Sequence, residues 1–305
     1  MENLQGKTAF ITGGASGIGL GLAKVCAREG MNVVLVDLRQ SAIDEAVPYF
    51  KEKNLPYLAI QLDVTDRDAY EKAADKAEAE FGAIHLLANN AGIGGGRGPL
   101  WEVSYKQTDL AIDINLTAVL NGIQIIVPRM IKHGQGGHIV NTASKAALIA
   151  VPANGLYNAT KQAVVGITET LQSDLAIAGL PIGASVFIPG PFVSALGQTS
   201  VDIEKQFLGD DAPPPPPSRV REGMSKAFAL VRTAEEAGER ILRGVKRGDL
   251  YIITHSDFKE GFKERVDAML RAFPDEPVNE TFKELFAILV HNPIFNKQTD
   301  VPALK

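Results

Sequence analysis

The feature that most constrains this chain is a regular alternation of short, β-rich apolar runs with longer stretches of helical periodicity. The runs predicted to be buried strands cover residues 8–12, 33–37, 57–62, 85–89, 138–141 and 182–188. A helical pattern follows each run, and glycine stands at three of the predicted helix ends, Gly30, Gly82 and Gly179. Strands that alternate with helices form β-α-β crossovers. The pattern therefore predicts an α/β fold, a doubly wound parallel sheet with helices on both faces.

The pattern changes after residue 194. Residues 195–232 contain polar sequence, five consecutive prolines at 213–217 and a weakly helical stretch. A proline run favours exposed polyproline II structure, so this segment is either a surface linker or a mobile flap over an active site. A helix over 234–247, a strand over 250–254 and two amphipathic helices near 258–273 and 278–291 follow. We expect a catalytic domain over 1–255, flap included, and a C-terminal helical extension over 256–305 packed on it.

Composition excludes several classes of function. The net charge is −5 and the basic residues are scattered, which argues against nucleic acid or an anionic membrane surface as the main partner. The single cysteine, Cys26, cannot form an internal disulfide and suits a reducing compartment. We find no apolar export segment, no run that reads as a membrane span and no cluster of metal ligands. The expectation is a cytoplasmic protein that needs no metal.

A glycine-rich turn follows the first predicted strand, with glycines at 13, 17 and 19 where the next helix begins. Glycine permits the tight turn and lets the backbone approach a pyrophosphate. The free N–H groups and the positive end of the helix attract its charge. In this context, strand then turn then helix, the glycines predict a dinucleotide site on a Rossmann-type fold of about seven strands.

The second predicted strand ends in Asp37, eighteen residues after Gly19. A carboxylate here can accept hydrogen bonds from both hydroxyls of the adenosine ribose and would repel a 2′-phosphate. Leu38 follows, and the glycine turn contains no Arg or Lys. Arg39 is interpreted as a solvated residue at a helix start. The sequence therefore predicts NAD in preference to NADP.

A second group of residues is suited to acid/base chemistry. Tyr157 and Lys161 are four residues apart and share one face of a predicted helix. Ser144 lies thirteen positions before Tyr157 at the end of the fifth strand, and Asn115 falls in the preceding long helix. An Asn-Asn-Ala-Gly motif occupies 89–92. A lone Tyr-x3-Lys pair is common, so the weight of this motif comes from its surroundings.

Together these motifs resemble the short-chain dehydrogenase/reductase family of the Tyr-x3-Lys type, over about residues 5–195. The resemblance implies four catalytic residues, Asn115, Ser144, Tyr157 and Lys161. It implies cofactor contacts from Gly13, Ser16, Gly17, Ile18, Gly19, Asp37, Leu38, Asp63, Val64, Asn90, Ala91, Gly92, Tyr157, Lys161, Pro189, Phe192 and Ser194.

The chain departs from the family pattern in two places. Ala143 replaces the first residue of a frequent Ser-Ser pair, which leaves the catalytic position at Ser144 intact. After Pro189 and Gly190, Phe192 and Ser194 stand where valine and threonine are usual. Ser194 still offers a hydroxyl to the nicotinamide carboxamide, and the bulkier Phe192 is expected to narrow that side of the site.

The expected chemistry is hydride transfer between NAD(H) and a secondary alcohol or ketone. A tyrosine with a pKa of ~10 is a poor base at neutral pH. The Lys161 ammonium and a positive nicotinamide ring would stabilise the phenolate, so Tyr157 becomes the acid/base. Ser144 orients the substrate oxygen. By resemblance, Lys161 also holds the nicotinamide ribose and Asn115 supports a water that relays protons.

Two other functions on this scaffold stay open. An NAD-binding epimerase or dehydratase would generally carry a Gly-x2-Gly-x2-Gly turn and a larger C-terminal domain, which the spacing here disfavours. A non-catalytic NAD-sensing protein would typically have lost the Tyr or the Lys, and this chain has both. Four further candidates are better explained by solvated helix faces and strand ends: Asp109, Asp113, His133 and His138.

The substrate pocket is expected from 94–101, 146–154 and Phe192 through the flap. These stretches supply few fixed charges, so we expect a bulky apolar or aromatic substrate. The apolar side chains they supply are Trp101, Ile149, Val151, Phe192, Phe207 and Leu208.

The tail after 250–253 resembles extensions in bacterial relatives that oxidise benzylic alcohols of lignin-derived fragments. Relatives pair the long helices that here span about 105–131 and 156–178, which implies a homodimer or homotetramer.

Overall fold

The predicted apolar runs form one parallel sheet at the centre of the molecule. The computed structural model describes residues 1, 3–194, 196–213, 232–277 and 279–301. Within these residues seven strands pair in parallel in the order β3-β2-β1-β4-β5-β6-β7. The strands are β1 Thr8–Thr12, β2 Asn32–Asp37, β3 Tyr57–Gln61, β4 Leu86–Asn89, β5 Gly137–Thr142, β6 Ile182–Ile188 and β7 Tyr251–Ile253. The predicted fold class is confirmed.

Helices connect the strands and cover both faces of the sheet. They are α1 Gly17–Arg28, α2 Gln40–Glu52, α3 Arg67–Phe81, α4 Tyr105–Ile112, α5 Ala118–His133, α6 Gly155–Ile177, α7 Leu196–Leu208, α8 Ala234–Arg247, α9 Lys259–Arg271, α10 Glu280–Leu285 and α11 Ala287–Val290. Side chains alternate across β2: Val33 and Leu35 lie in the core with α1 and α8, and Val34 lies in the core with α3 and α5. A strand buried on both faces explains the continuous apolar runs in the sequence.

The strand order reverses beside β1, and this reversal positions the site. Ile11 of β1 pairs with Leu35 of β2 on one side and with Ala88 of β4 on the other. The crossovers after β1 and β4 leave in opposite directions, so a crevice opens at the carboxyl ends of these two strands. The residues that follow each strand therefore meet at this edge.

One helical run has the length and composition of a membrane span. Tyr105–His133 reaches a mean hydropathy of 1.7 over an 18-residue window, so the expectation that no segment reads as a span is wrong for this run. In the structure 56% of that window is buried, and Ile126 and Met130 are completely enclosed against the sheet. A core helix buried in a soluble protein can have the same length and hydropathy. The burial of this run is that of a core helix.

Two further differences from the predicted elements lie in the second half of the chain. Residues 196–208 form helix α7, where a polar loop was expected. The predicted helix over 278–291 is two short helices, because the backbone leaves the helical region at Phe286. The C-terminal part of the proline run, 214–217, lies outside the described residues.

Helices α1 and α8 pack at backbone distance, which requires glycine on both. A Cβ added at Gly21 would overlap the carbonyl group of Ala234, and one at Gly238 would lie 2.8 Å from the Gly21 oxygen. Neither obstacle is a flexible side chain, so the helices themselves must move apart.

Gly21→Ala should therefore lower the free energy of unfolding by about 2 kcal/mol, a cost typical of overpacking. Gly197→Ala is the matched control, because a Cβ at this helical glycine meets nothing within 4 Å. The control should be neutral or stabilising by up to about 1 kcal/mol. Chemical denaturation measures both variants, and equal stability of the two would contradict the close helix contact.

Candidate active site

A cleft of about 290 Å³ lies at the edge where the strand order reverses. Most residues expected to contact a cofactor line it. They are Gly13, Ser16, Gly17, Ile18, Asp37, Leu38, Asp63, Val64, Asn90, Ala91, Gly92, Tyr157, Lys161, Pro189 and Ser194. The cleft thus runs from the glycine turn and the end of β2 to the start of α6, and it joins the predicted cofactor residues to Tyr157 and Lys161.

The glycine turn has the geometry of an anion cradle. Gly13 and Gly17 have φ values of +61° and +49°, in the left-handed region that favours glycine. Ser16 begins α1 in extended conformation without capping the helix through its side chain, and the first turn of α1 carries no acidic residue. Backbone N–H groups at this helix start therefore face the cleft without a side-chain acceptor from Ser16, and a pyrophosphate fits such a cradle.

Gly19 is an expected cofactor contact, but it does not line the cleft. It is buried, and a Cβ there would overlap the carbonyl oxygen of Gly13 and approach the Asn90 amide nitrogen at 2.7 Å. Gly19 thus keeps the turn close to the helix. The side-chain amide of Asn90 donates to the Thr12 carbonyl at 3.1 Å and closes the turn from the β4 side.

Asp37 closes one end of the cleft and is only 6% exposed. Its carboxylate accepts hydrogen bonds from the backbone N–H groups of Ala15 at 3.3 Å and Arg39 at 3.1 Å. Arg39, expected to be solvated, instead lines the cleft. Its guanidinium donates to the Ser16 hydroxyl at 2.9 Å and lies 3.6 Å from the Asp37 carboxylate. The charge of Asp37 was visible in the sequence, whereas a lone arginine at a helix start gave no comparable signal.

Tyr157 and Lys161 occupy the opposite end. Both stand on the first turns of α6, and the Lys161 ammonium lies 5.7 Å from the centre of the Tyr157 ring. Lys161 is 4% exposed and donates to the Thr142 carbonyl at 3.0 Å. Burial disfavours its charged form and lowers the pKa of Lys161 to about 8.

The pKa of Tyr157 differs from the sequence expectation. Burial raises the pKa of the phenol above its ordinary value, and the neighbouring Ser144 hydroxyl lowers it by less. The lowering of the Tyr157 pKa that we expected from Lys161 does not dominate in the protein without cofactor. Removing the phenolate from water destabilises it more than the neighbouring groups stabilise it. The phenol is therefore protonated at neutral pH.

The buried Lys161 ammonium makes the stability of the cofactor-free protein depend on pH. Its pKa falls from 10.5 to about 8 on folding. Between these values the unfolded chain binds more protons, so the free energy of unfolding rises with pH in this window. The penalty for burying the charge is complete below about pH 8 and absent above about pH 10.5.

Lys161→Met lacks this titration. We expect the stability of the wild type relative to the variant to increase between about pH 8 and about pH 10.5, measured by denaturation without cofactor. Lys132→Met, at an exposed lysine of α5, should leave the difference constant. A constant difference for Lys161→Met as well would show that Lys161 is not desolvated.

Ser144 and Asn115 do not line the cleft and support its edge. Ser144 ends the stretch after β5 and caps the 3₁₀ turn Lys145–Ala147, its hydroxyl accepting from the Ala146 N–H at 3.3 Å. Asn115 is fully buried in a π-helical turn, Asp113–Thr117, that interrupts the predicted long helix. Such turns are frequent at functional sites.

The Asn115 side chain fixes the backbone that follows β4. Its amide accepts from the Ile93 N–H at 2.9 Å and donates to the Ile93 carbonyl at 3.0 Å. A Cβ at Gly92 would lie 3.0 Å from the Asn115 oxygen and 3.4 Å from the Lys161 ammonium. Asn115, Gly92 and Lys161 are therefore packed together.

Phe192 lies away from the cleft, contrary to the expectation that it narrows the nicotinamide side. It is 4% exposed, and its ring packs 5.4 Å from His255 and 6.5 Å from Phe187. A large apolar side chain gains more from this core than from a half-solvated cleft. Pro189 and Ser194, from the same stretch, do line the cleft.

Helix α7 supplies Phe207, which the sequence predicts for the substrate pocket, and three cleft residues that sequence reasoning missed. Leu196, Thr199, Ile203 and Phe207 all line the cleft. Their spacing places them on one helical face, and this was the signal that could have found them. The helix is tied to the loop after β4, since the Ser200 hydroxyl accepts from the Gly94 N–H at 2.8 Å.

A buried ion pair forms a second tie between the same two segments. Arg97 donates to Glu204 at 2.8 Å, and the Glu204 side chain is 3% exposed. Burial raises the pKa of Glu204, and Arg97 opposes that shift. The carboxylate is thus held on α7 by a guanidinium from the glycine-rich loop at 94–98.

Most other side chains expected in a substrate pocket lie elsewhere. Trp101 is 85% exposed, and Leu208 is buried outside the cleft. Ile149 and Val151 do not line it either, so Phe207 is the member of the predicted set that does. Among the described residues no group of three His, Cys, Asp or Glu side chains is arranged to hold a metal ion.

Known proteins are similar to this chain in sequence and in fold. The model of the short chain dehydrogenase family matches residues 7–205. The C alpha-dehydrogenase of Sphingobium sp. strain SYK-6 is 34% identical over 274 residues, which cover 88% of this chain and 87% of that protein.

Two solved structures superimpose closely. A short chain dehydrogenase/reductase from Burkholderia phymatum, solved in complex with NAD, has a TM-score of 0.79 and 30% identity, covering 92% of this chain and all of that one. The apo form of LigO from Sphingobium sp. strain SYK-6 has a TM-score of 0.72 and 33% identity, covering 97% of this chain and 95% of that one. The resemblance drawn from the motifs is confirmed: the chain belongs to the short-chain dehydrogenase family of oxidoreductases.

Proposed function

We propose that this protein is an NAD-dependent dehydrogenase that interconverts a secondary alcohol and a ketone. One observation carries the proposal: a single cleft joins the anion cradle and Asp37 at one end to the Tyr157 and Lys161 pair at the other. A nicotinamide dinucleotide, when bound, accepts hydride from an alcohol carbon or returns it to a carbonyl carbon. The chain's own residues must then hold the substrate oxygen and move its proton.

Tyr157 is proposed as the group that exchanges a proton with the substrate oxygen. Because burial keeps its phenol protonated, it is ready to donate to the carbonyl oxygen of a ketone. In the oxidative direction it must lose that proton, and positive charge beside it then matters more. Lys161 supplies such charge within the same buried end of the cleft.

Ser144 and Asn115 complete the proposed catalytic set. Ser144 is suited to hydrogen-bond the substrate oxygen, since the 3₁₀ turn fixes its backbone and the hydroxyl neighbours Tyr157. Asn115 is proposed to support a proton relay from Lys161, with which it shares the space around Gly92. Its side chain also holds the Ile93 backbone in place.

The preference for NAD is proposed from Asp37. Its buried carboxylate is oriented by two backbone N–H groups and stands where ribose hydroxyls would be recognised. A 2′-phosphate would have to approach that charge closely. Arg39 is engaged by both Ser16 and Asp37, so recruiting it to a phosphate would break existing contacts. The Burkholderia phymatum relative was solved with NAD.

The substrate is proposed to be bulky and apolar or aromatic. The cleft wall contributed by α7 and its surroundings is aliphatic and aromatic, with Leu110, Ile203 and Phe207 among its members. Asp113 is the charged side chain of the lining beside Leu110, and Glu204 of α7 does not line the cleft and pairs with Arg97 at 2.8 Å. An apolar wall favours a substrate with little charge.

A screen of secondary alcohols with NAD tests the proposal by following the absorbance of the reduced nicotinamide. We expect turnover with aryl and bulky alkyl carbinols and little with small charged hydroxy acids. Activity confined to the hydroxy acids would refute the apolar pocket. Binding of NAD without net reduction by any alcohol would refute the dehydrogenase and favour an isomerase or a binding protein.

Assembly and location are proposed from the same features. Exposed apolar residues on the predicted pairing helices, Ile112, Ile131 and Ile177, support a homodimer or homotetramer. The buried free thiol of Cys26 supports a reducing, cytoplasmic location. The segment after residue 255 is proposed to be a C-terminal extension packed on the catalytic domain, because α9 contacts that domain near Ser144.

A further inference from the structure

Helix α9, in the C-terminal extension, reaches the segment that carries Ser144. None of its residues is buried, so the helix is not held by a core of its own. Its attachment includes Arg265, whose guanidinium donates to the carbonyl oxygens of Ala147 at 2.9 Å and Leu148 at 3.1 Å. Those carbonyls lie at the end of the 3₁₀ turn that Ser144 begins.

The same guanidinium also reaches α6. A second nitrogen of Arg265 donates to the side-chain oxygen of Gln162 at 3.3 Å, and Gln162 follows Lys161 on that helix. One planar group thus bridges the turn behind Ser144 and the helix that bears Tyr157 and Lys161. Arginine suits this task because its nitrogens donate in fixed directions within one plane.

Two further contacts fix the orientation of α9 against the turn. The Lys145 ammonium lies 5.0 Å from the centre of the Phe258 ring, just before α9 begins. A Cβ at Gly261 would lie 3.3 Å from the Ile149 side chain, so helix and turn approach closely there. Arg265 therefore lies within a packed contact between α9 and the segment 145–149, and its charge is not simply solvated.

We propose that Arg265 is a positioning residue that sets the distance between Ser144 and the Tyr157 helix. The inference rests on the proposed function, since it assigns Arg265 a task in the reaction of those residues. Ser144 must meet the substrate oxygen together with Tyr157, and an error of about 1 Å in such a pair is sufficient to slow catalysis markedly. Arg265 does not line the cleft, so it acts on the reaction through its hydrogen bonds to the turn after Ser144.

The test compares Arg265→Ala, Arg265→Lys and the control Arg271→Ala, which removes an exposed arginine from the same helix. We expect Arg265→Ala to lower kcat about 10-fold with the KM for NAD unchanged. The kcat of Arg265→Lys should lie between those of the wild type and Arg265→Ala, since an ammonium retains the charge but not the planar arrangement of donors. Added guanidinium ion at millimolar concentration should restore part of the kcat of Arg265→Ala. Arg271→Ala should turn over like the wild type and should not respond to guanidinium.

Hydrogen exchange supplies a readout that does not need turnover. Amides at 145–149 should exchange faster in Arg265→Ala than in the wild type, with the rest of the fold unchanged. Unchanged kcat, unchanged exchange, or a kcat loss that follows a general loss of NAD affinity without rescue would each overturn the assignment. A wild type inactive on all alcohols would overturn the proposed function instead, and the exchange result would then decide Arg265 alone.

Discussion

Tyr157→Phe should lower kcat about 10³-fold, because it removes the group that we propose to exchange a proton with the substrate oxygen. The aromatic ring and its packing are retained, so the affinity for NAD should be almost unchanged. Steady-state kinetics with the best alcohol from the screen give kcat, and titration with NAD gives the affinity.

Tyr105→Phe is the matched control, since it makes the same chemical change at a side chain that is 90% exposed. It should turn over like the wild type. A Tyr157→Phe variant that kept normal turnover would refute the acid/base role. Equal losses in both variants would point to an effect on assembly, because Tyr105 stands on a helix proposed to pair.

Asp37→Ser should lower kcat/KM for NAD by about 10- to 100-fold, the loss expected when hydrogen bonds to a charged group are removed. Activity with NADP should rise or stay constant, because the charge that repels a 2′-phosphate is gone. The ratio of kcat/KM for the two cofactors therefore moves toward NADP. Kinetics with each cofactor at a fixed alcohol concentration measure this ratio.

Asp44→Ser controls for the loss of one negative charge at an exposed position on α2, outside the cleft lining. It should leave the ratio unchanged. A wild type with comparable kcat/KM for NAD and NADP, or an Asp37→Ser variant with an unaltered ratio, would contradict the proposed recognition of ribose by Asp37.

Sequence reasoning was most successful where local pattern and packing agree. Strands such as β1 and β6 are continuous apolar runs, and glycines follow the helices between them, so the sheet could be predicted almost to the residue. The cofactor end was predictable for a related reason. Gly13 and Gly17 come after β1 and Asp37 ends β2, and parallel strands bring their carboxyl ends to one edge.

What the sequence could not indicate depends on contacts between distant segments. Phe192 follows the Pro-Gly motif, yet it packs into the core beside His255. Arg39 is predicted to be solvated from its place at a helix start, yet it contacts Ser16, which is distant in the chain. Whether burial or a neighbouring charge dominates the pKa of Tyr157 likewise depends on three-dimensional enclosure, which no spacing reports.

The contact between α1 and α8 also bears on the order in which the molecule can be completed during synthesis. Helix α1, which follows the glycine turn, packs against a segment more than two hundred residues later in the chain, as the hydrogen bond from Arg28 to Glu235 shows. A ribosome adds residues N-terminus first, at about 5–20 per second. One face of the first helix of the nascent N-terminal half therefore lacks its packing partner until Ala234–Arg247 has left the exit tunnel.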